Sequence, residues 1–102
     1  MNRRAKGRRN ELRAKKILEA QGYQVEQAKG SSRWSKQNDL WGLFDLCGVK
    51  KDGVVWVQVK SNRKPAKVVL RGLAEFQHPQ CCGRKELWIF YDRVKEQEII
   101  AL

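Results

Sequence analysis

The stretch that decides the fold runs from Leu43 to Lys60 and reads LFDLCGVKKDGVVWVQVK. Two apolar-rich runs, Leu43 to Lys50 and Val54 to Lys60, flank Lys51, Asp52 and Gly53. Asp-Gly between such runs is a strong hairpin signal, because both residues tolerate the backbone angles of a tight turn. With Asp52 and Gly53 as a two-residue loop, Lys51 faces Val54, Asp45 falls opposite Lys60, and Cys47 falls opposite Gln58. Paired residues share a face of the sheet and side chains alternate along each strand. Asp45, Gln58 and Lys60 are therefore expected together on one side, with Val55, Val57 and Val59 on the other. A four-residue turn keeps this grouping, whereas a three-residue turn destroys it.

Working outward, Asn10 reads as the N-cap of a helix whose apolar stripe is Leu12, Ala14, Ile17, Leu18 and Gln21, closed by Gly22. Tyr23 to Ala28 alternates like a short strand, and the polar, Gly/Ser-rich Lys29 to Asn38 reads as a loop. After the hairpin, Ser61 to Lys67 is a basic connector. Val69, Leu70, Leu73, Ala74 and Phe76 then fit a helix weakened by Gly72 and finished before Pro79. Leu87 to Tyr91 and Glu98 to Leu102 supply two final strands. The expected order is α-β-β-β-α-β-β, an α/β domain over residues 1–102 with a central mixed sheet flanked by helices. No internal repeat, linker or second domain interrupts it.

The composition narrows the function. Twenty-two Lys and Arg against eleven Asp and Glu give a net charge of +11 and an isoelectric point near 10.0, which points to a polyanionic partner. Apolar residues make up 41%, enough for a core and too many for a disordered tail. Cys47, Cys81 and Cys82 form an odd set without a disulfide framework, as expected of a reducing cytoplasm. No apolar run approaches the ~20 residues of a membrane span, and none follows Arg9 as a secretory signal requires, so the expected partner is not a membrane.

The basic residues gather in three clusters, Arg3 to Lys16, Lys29 to Lys36 and Lys60 to Arg71, each bordering the Asp45–Lys60 region in sequence. A solvated face is the ordinary fate of such runs. Their position nevertheless suggests a phosphate track, with Arg4, Arg8, Arg9, Arg33, Lys36, Arg63, Lys64 and Lys67 as the nucleic-acid contacts. Such contacts hold a backbone without reading bases, and no recognition helix or finger is evident. Nucleic acid selected by structure or ends, more than by sequence, is the expected partner.

An ionised Asp45 between Phe44 and Leu46 is costly unless something faces it, either a cation or a simple backbone donor. A carboxylate and an amide oxygen beside a lysine suit a hard cation such as Mg²⁺, which prefers oxygen ligands and keeps waters for exchange. Glu11 lies on the first helix and is also spaced to pair with Lys15. Asp39 is open to two readings, an additional ligand or a turn residue. Trp34 and Trp41 fit either base stacking or the core. His78, Cys81 and Cys82 lack the paired spacing of a structural zinc site.

Glu11 on a helix, Asp45 in FDLCG on a strand, and Gln58-Val59-Lys60 at the end of the next strand resemble the PD-(D/E)XK nuclease superfamily over nearly the whole chain. Within it, the small size and basic surface are most similar to Holliday-junction-resolvase-like nucleases of prokaryotes and phages. The resemblance implies a restriction-endonuclease-like α-β-β-β-α-β core and Mg²⁺- or Mn²⁺-dependent cleavage of DNA. It implies Asp45 and Gln58 as metal ligands, the Val59 carbonyl as a further ligand, Lys60 as the catalytic lysine and Glu11 as a supporting carboxylate. It also implies double-stranded or branched DNA as the partner and, by analogy, a homodimer. Gln58 replaces the usual acid, as in Mrr-like enzymes, and Phe44 stands where the motif's name calls for proline. The neutral ligand favours one-metal chemistry. It also keeps open a DNA-binding module of the same fold without catalysis, or an accessory protein of a phage or nucleoprotein complex.

Overall fold

The computed structural model describes residues 3–27, 44–77 and 82–102. In chain order these form α1 (Arg3–Ala20), β1 (Gln24–Gln27), β2 (Leu46–Lys50), β3 (Gly53–Ser61), α2 (Lys67–Glu75), β4 (Gly83–Phe90) and β5 (Glu98–Ala101). The strands lie side by side in the order β1-β2-β3-β4-β5. All neighbours pair antiparallel except β3 and β4, which are parallel and joined through α2. The fold is therefore α/β with a five-stranded mixed sheet and two helices, in the element order read from the sequence.

The central strand β3 is buried continuously from Val55 to Val59. Val55, Val57 and Val59 meet Ala14 and Leu18 of α1, together with Tyr23, Leu46, Trp88 and Phe90. On the other face, Trp56 joins Phe44 and Leu73 of α2, with Val54, Val69, Leu70 and Phe76 packed around them. The edge-on rings of Phe44 and Phe76 (5.1 Å) and of Trp56 and Phe76 (5.6 Å) fix this second core.

α1 corrects one expectation. The helix begins at Arg3, so Asn10 is an interior residue and not its N-cap. Asn10, Ala14 and Leu18 form an i, i+4 row that is buried along its length. Asn10 satisfies its amide by donating Nδ2–H to Ser61 Oγ at 2.7 Å, which ties the helix to the end of β3. At the other end, Gly22 takes a positive φ of 97° and Tyr23 N–H bonds Leu18 O (3.2 Å), the closure expected after a helix-ending glycine.

The hairpin also differs from its expected register. Lys50 pairs with Gly53, so the turn is Lys51–Asp52, one residue earlier than Asp52–Gly53. Positive φ among the described residues is confined to Gly22, Asn62 and Arg93, so Gly53 does not serve a left-handed turn. A Cβ on Gly53 would lie 3.0 Å from Cys82 O, the carbonyl that accepts the Val54 N–H at 2.9 Å. The glycine admits the start of β4 instead. The register shifts by two residues, an even number, so the sharing of faces survives along the paired residues 46–50 and 53–57.

Candidate functional site

The site is built where β2 stops and β3 continues. Phe44 packs in the α2-side core and Leu46, two residues on, in the α1-side core. Residues two apart in a regular strand share a face, so the chain bends at Asp45. The Asp45 N–H still reaches Val57 O at 2.9 Å. Its side chain then takes over the ladder: Oδ2 accepts the Val59 N–H at 2.7 Å, a buried bond of the charge-assisted kind. Asp45 is only 6% exposed. A backbone donor thus answers part of the cost of its burial, the plainer of the two readings of this residue.

The same bond places the carboxylate between Gln58 and Lys60. The paired register of β2 and β3 ends with Leu46 opposite Val57, and the Asp45 N–H meets that same Val57, so Asp45 sits at a bulge beside Val57 and Val59 and not opposite Lys60 as expected. Gln58 and Lys60 continue the row of Trp56, and their partners on β4 are the buried Leu87 and Ile89. Gln58 is 8% exposed, and its Oε1 has no hydrogen-bond partner among the described residues. A buried acceptor in that state costs about 1–3 kcal/mol relative to a satisfied one. A strand residue sends its N–H and C=O to the same edge, so the Val59 carbonyl is directed to the side from which Asp45 approaches.

Lys60 is half-buried and opens into a cleft of about 380 Å³ lined also by Lys6, Ser61, Asn62 and Arg63. Lys6 reaches across from α1 and donates to Asp92 Oδ2 at 2.8 Å. That bond, with the charges of Lys6 and Arg9 and a bond from Asn62, holds the Asp92 carboxyl below the usual carboxylate range. Asn62 takes φ 65°, bonds Phe90 O through its N–H (2.9 Å) and accepts the Asp92 N–H on Oδ1 (2.8 Å). An asparagine tolerates this left-handed geometry better than most residues.

Glu11 has a different setting. Its carboxylate accepts from Gln27 Nε2 at 3.5 Å on the edge strand β1, and Gln27 pairs with Leu46. Because α1 covers the Val59 side of the sheet, Glu11 reaches the Gln58–Lys60 side only past the edge where β2 begins. Among the described residues no three His, Cys, Asp or Glu side chains gather around one point. The donor set present is instead one carboxylate, one amide oxygen and one main-chain carbonyl. The unmet, buried amide oxygen of Gln58 and the buried Asp45 carboxylate, bonded to the next residue of β3, are oxygen donors of the kind a hard cation prefers.

Of the expected phosphate contacts, Arg8, Arg9, Arg63, Lys64 and Lys67 are exposed, and Arg4 lies in the first turns of α1. Arg33, Lys36, Asp39, Trp34, Trp41, His78 and Cys81 lie outside the described residues. Cys47 carries no reactive signature: burial, then the Glu26 charge on the neighbouring strand, push its thiol up. Sequence reasoning missed Lys6, Asn62 and Asp92. Asn10 was discoverable, because it extends the Ala14–Leu18 row by one step. Among the described residues no helix is long and apolar enough to cross a membrane. No protein-family model matches the chain, and no curated protein matches its sequence.

Proposed function

We propose that the chain is a metal-dependent deoxyribonuclease of the PD-(D/E)XK type, with a restriction-endonuclease-like core and a preference for DNA structure over sequence, in the manner of junction-resolving enzymes. The observation that carries this reading is the buried Asp45 carboxylate bonded to the Val59 N–H, between a Gln58 whose buried Oε1 is unpartnered among the described residues and a Lys60 that lines a basic cleft, the two neighbours of Val59 along β3.

Asp45, Gln58 Oε1 and the Val59 carbonyl would hold Mg²⁺ or Mn²⁺, with Glu11 as a supporting carboxylate at the neighbouring edge. When bound, the cation supplies Lewis-acid polarisation of a phosphoryl oxygen and a more acidic attacking water. The chain's own groups do the rest. Asp45 is fixed by the Val59 N–H, so its carboxylate needs little reorganisation. Lys60 lines the cleft, where its ammonium group would orient the attacking water and stabilise charge growing on the phosphoryl oxygens. Arg63 and Lys6 border the same cleft and anchor the flanking phosphates. Cutting two strands requires two such sites, and a two-fold homodimer supplies them.

The test is a panel of labelled four-way junction, flap, nicked and linear duplex DNAs with Mg²⁺, Mn²⁺ or chelator. Metal-dependent cleavage of at least one substrate is expected. Lys60→Ala should reduce cleavage about 100-fold or more while DNA binding persists. A second reading, a DNA-binding module of this fold without catalysis, is favoured by the neutral Gln58 and the lack of clustered acids among the described residues. DNA binding without cleavage of any substrate in either metal would establish it and overturn the first.

A further inference from the structure

One stripe of α1, carrying Lys6, Arg9, Asn10 and Arg13, runs along two clefts. Lys6 borders the Lys60 cleft. Arg9, Asn10 and Arg13 form one wall of a second cleft, of about 320 Å³, whose opposite wall is the chain from Phe90 to Lys95. Asp92, the acid among the residues lining the second cleft, links it to the first, where Lys6 neutralises it at 2.8 Å. Arg13 is held in place, donating to Lys95 O at 3.1 Å and lying over the Phe90 ring at 4.8 Å. Arg93 faces it from a backbone at φ 65°, a conformation disfavoured for a long side chain that persists only where the surroundings impose it.

We propose that this second cleft is a groove for the phosphodiester backbone of DNA, carrying the strand onward from Lys60 past Arg9, Arg13, Arg93 and Lys95. The proposal rests on reading the Lys60 cleft as the cleavage site and adds the path of the substrate beyond it. From Lys6 to Arg13 is seven helical residues, about 10 Å. One strand of duplex DNA carries a phosphate per ~3.4 Å of axis, so the stripe spans roughly three phosphates. The groove is concave, and the exposed large apolar side chain on it is Val94. An anionic membrane surface would call for a broad apolar face beside the charges. The sequence clusters stop at Arg71, so Arg93 and Lys95 join the basic surface only through the fold.

The test uses the full chain with chelator present, measuring the affinity for labelled DNA across a salt series. Arg93→Gly together with Lys95→Gln is compared with the charge-matched pair Lys50→Gln and Lys51→Gln at the hairpin turn, the opposite end of β3. Loss of two phosphate contacts should lower the salt slope by about 1.8 and weaken binding on the order of fiftyfold near 0.1 M salt, with the control pair close to wild type. The thermal midpoint of Arg93→Gly should not fall, because glycine accepts φ 65°. Equal losses in both pairs would reduce the effect to net charge and overturn the groove. Binding to phosphatidylserine vesicles, lost in the first pair while DNA binding is unchanged, would assign the cleft to a membrane and also overturn it. If the groove variants leave DNA binding intact while Lys60→Ala abolishes cleavage, the groove fails and the nuclease stands. If the salt slope falls as expected and no substrate is cut, the groove stands and the nuclease fails.

Discussion

At Gln58, burial and hydrogen bonding pull against each other. Trp56 precedes it in its row and the buried Leu87 of β4 lies beside it, so an apolar residue would suit the site better in the absence of a ligand. Methionine has similar length and leaves no acceptor stranded. Gln58→Met is therefore expected to raise the stability of the metal-free protein by about 1 kcal/mol in urea unfolding with chelator. The rise in thermal midpoint that Mg²⁺ or Mn²⁺ gives the wild type should disappear in the same variant. Destabilisation in chelator would mean that the amide is already satisfied, and the argument for a cation at Gln58 would fall.

At the scale of elements, α2 is held by a residue outside it. Lys85 of β4 is 6% exposed, and its Nζ donates to Leu73 O (2.9 Å), Ala74 O (2.6 Å) and Phe76 O (3.0 Å). These are carbonyls at the helix C-terminus, where a cation also meets the negative end of the dipole. Lys85→Met should cost about 3 kcal/mol, with hydrogen exchange in α2 accelerating more than in β3. Lys85 is a case in which the sequence is silent: a lysine four residues from Ile89 reads as surface, and only the parallel pairing with Trp56 turns it onto the buried face. The elements themselves were legible, because Val55, Val57 and Val59 declare a period of two and Ala14 and Leu18 a helical one. The sharing of one face by Gln58 and Lys60 was legible too, since it depends on parity along a single strand, whereas the bend at Asp45 interrupts that alternation. The turn was not, because Gly53 answers to Cys82, 29 positions away, and no local signal carries that contact. Likewise, Asn10 was read as a cap because its partner, Ser61, lies 51 residues off.

Over the whole molecule the excess of eleven positive charges sets two responses to salt with opposite signs. Self-repulsion opposes compaction, and the Debye length shrinks from about 10 Å at 0.1 M to about 3 Å at 1 M. Adding potassium chloride from 0.05 to 0.5 M should therefore raise the thermal midpoint of the free protein while DNA binding falls steeply. A midpoint that falls with salt would indicate that favourable ion pairs outweigh the repulsion. The ion pair between Lys6 and Asp92 joins positions 86 apart, and Arg13 reaches Lys95 across 82. During synthesis at about 5–20 residues per second, roughly 4–17 s separate the emergence of Lys6 from that of Asp92. A nascent chain can fold its first helix and hairpin in that interval and still present no finished cationic groove. If the groove takes phosphates, its competition for the ribosome's own RNA can begin only once residues 90–95 have been made.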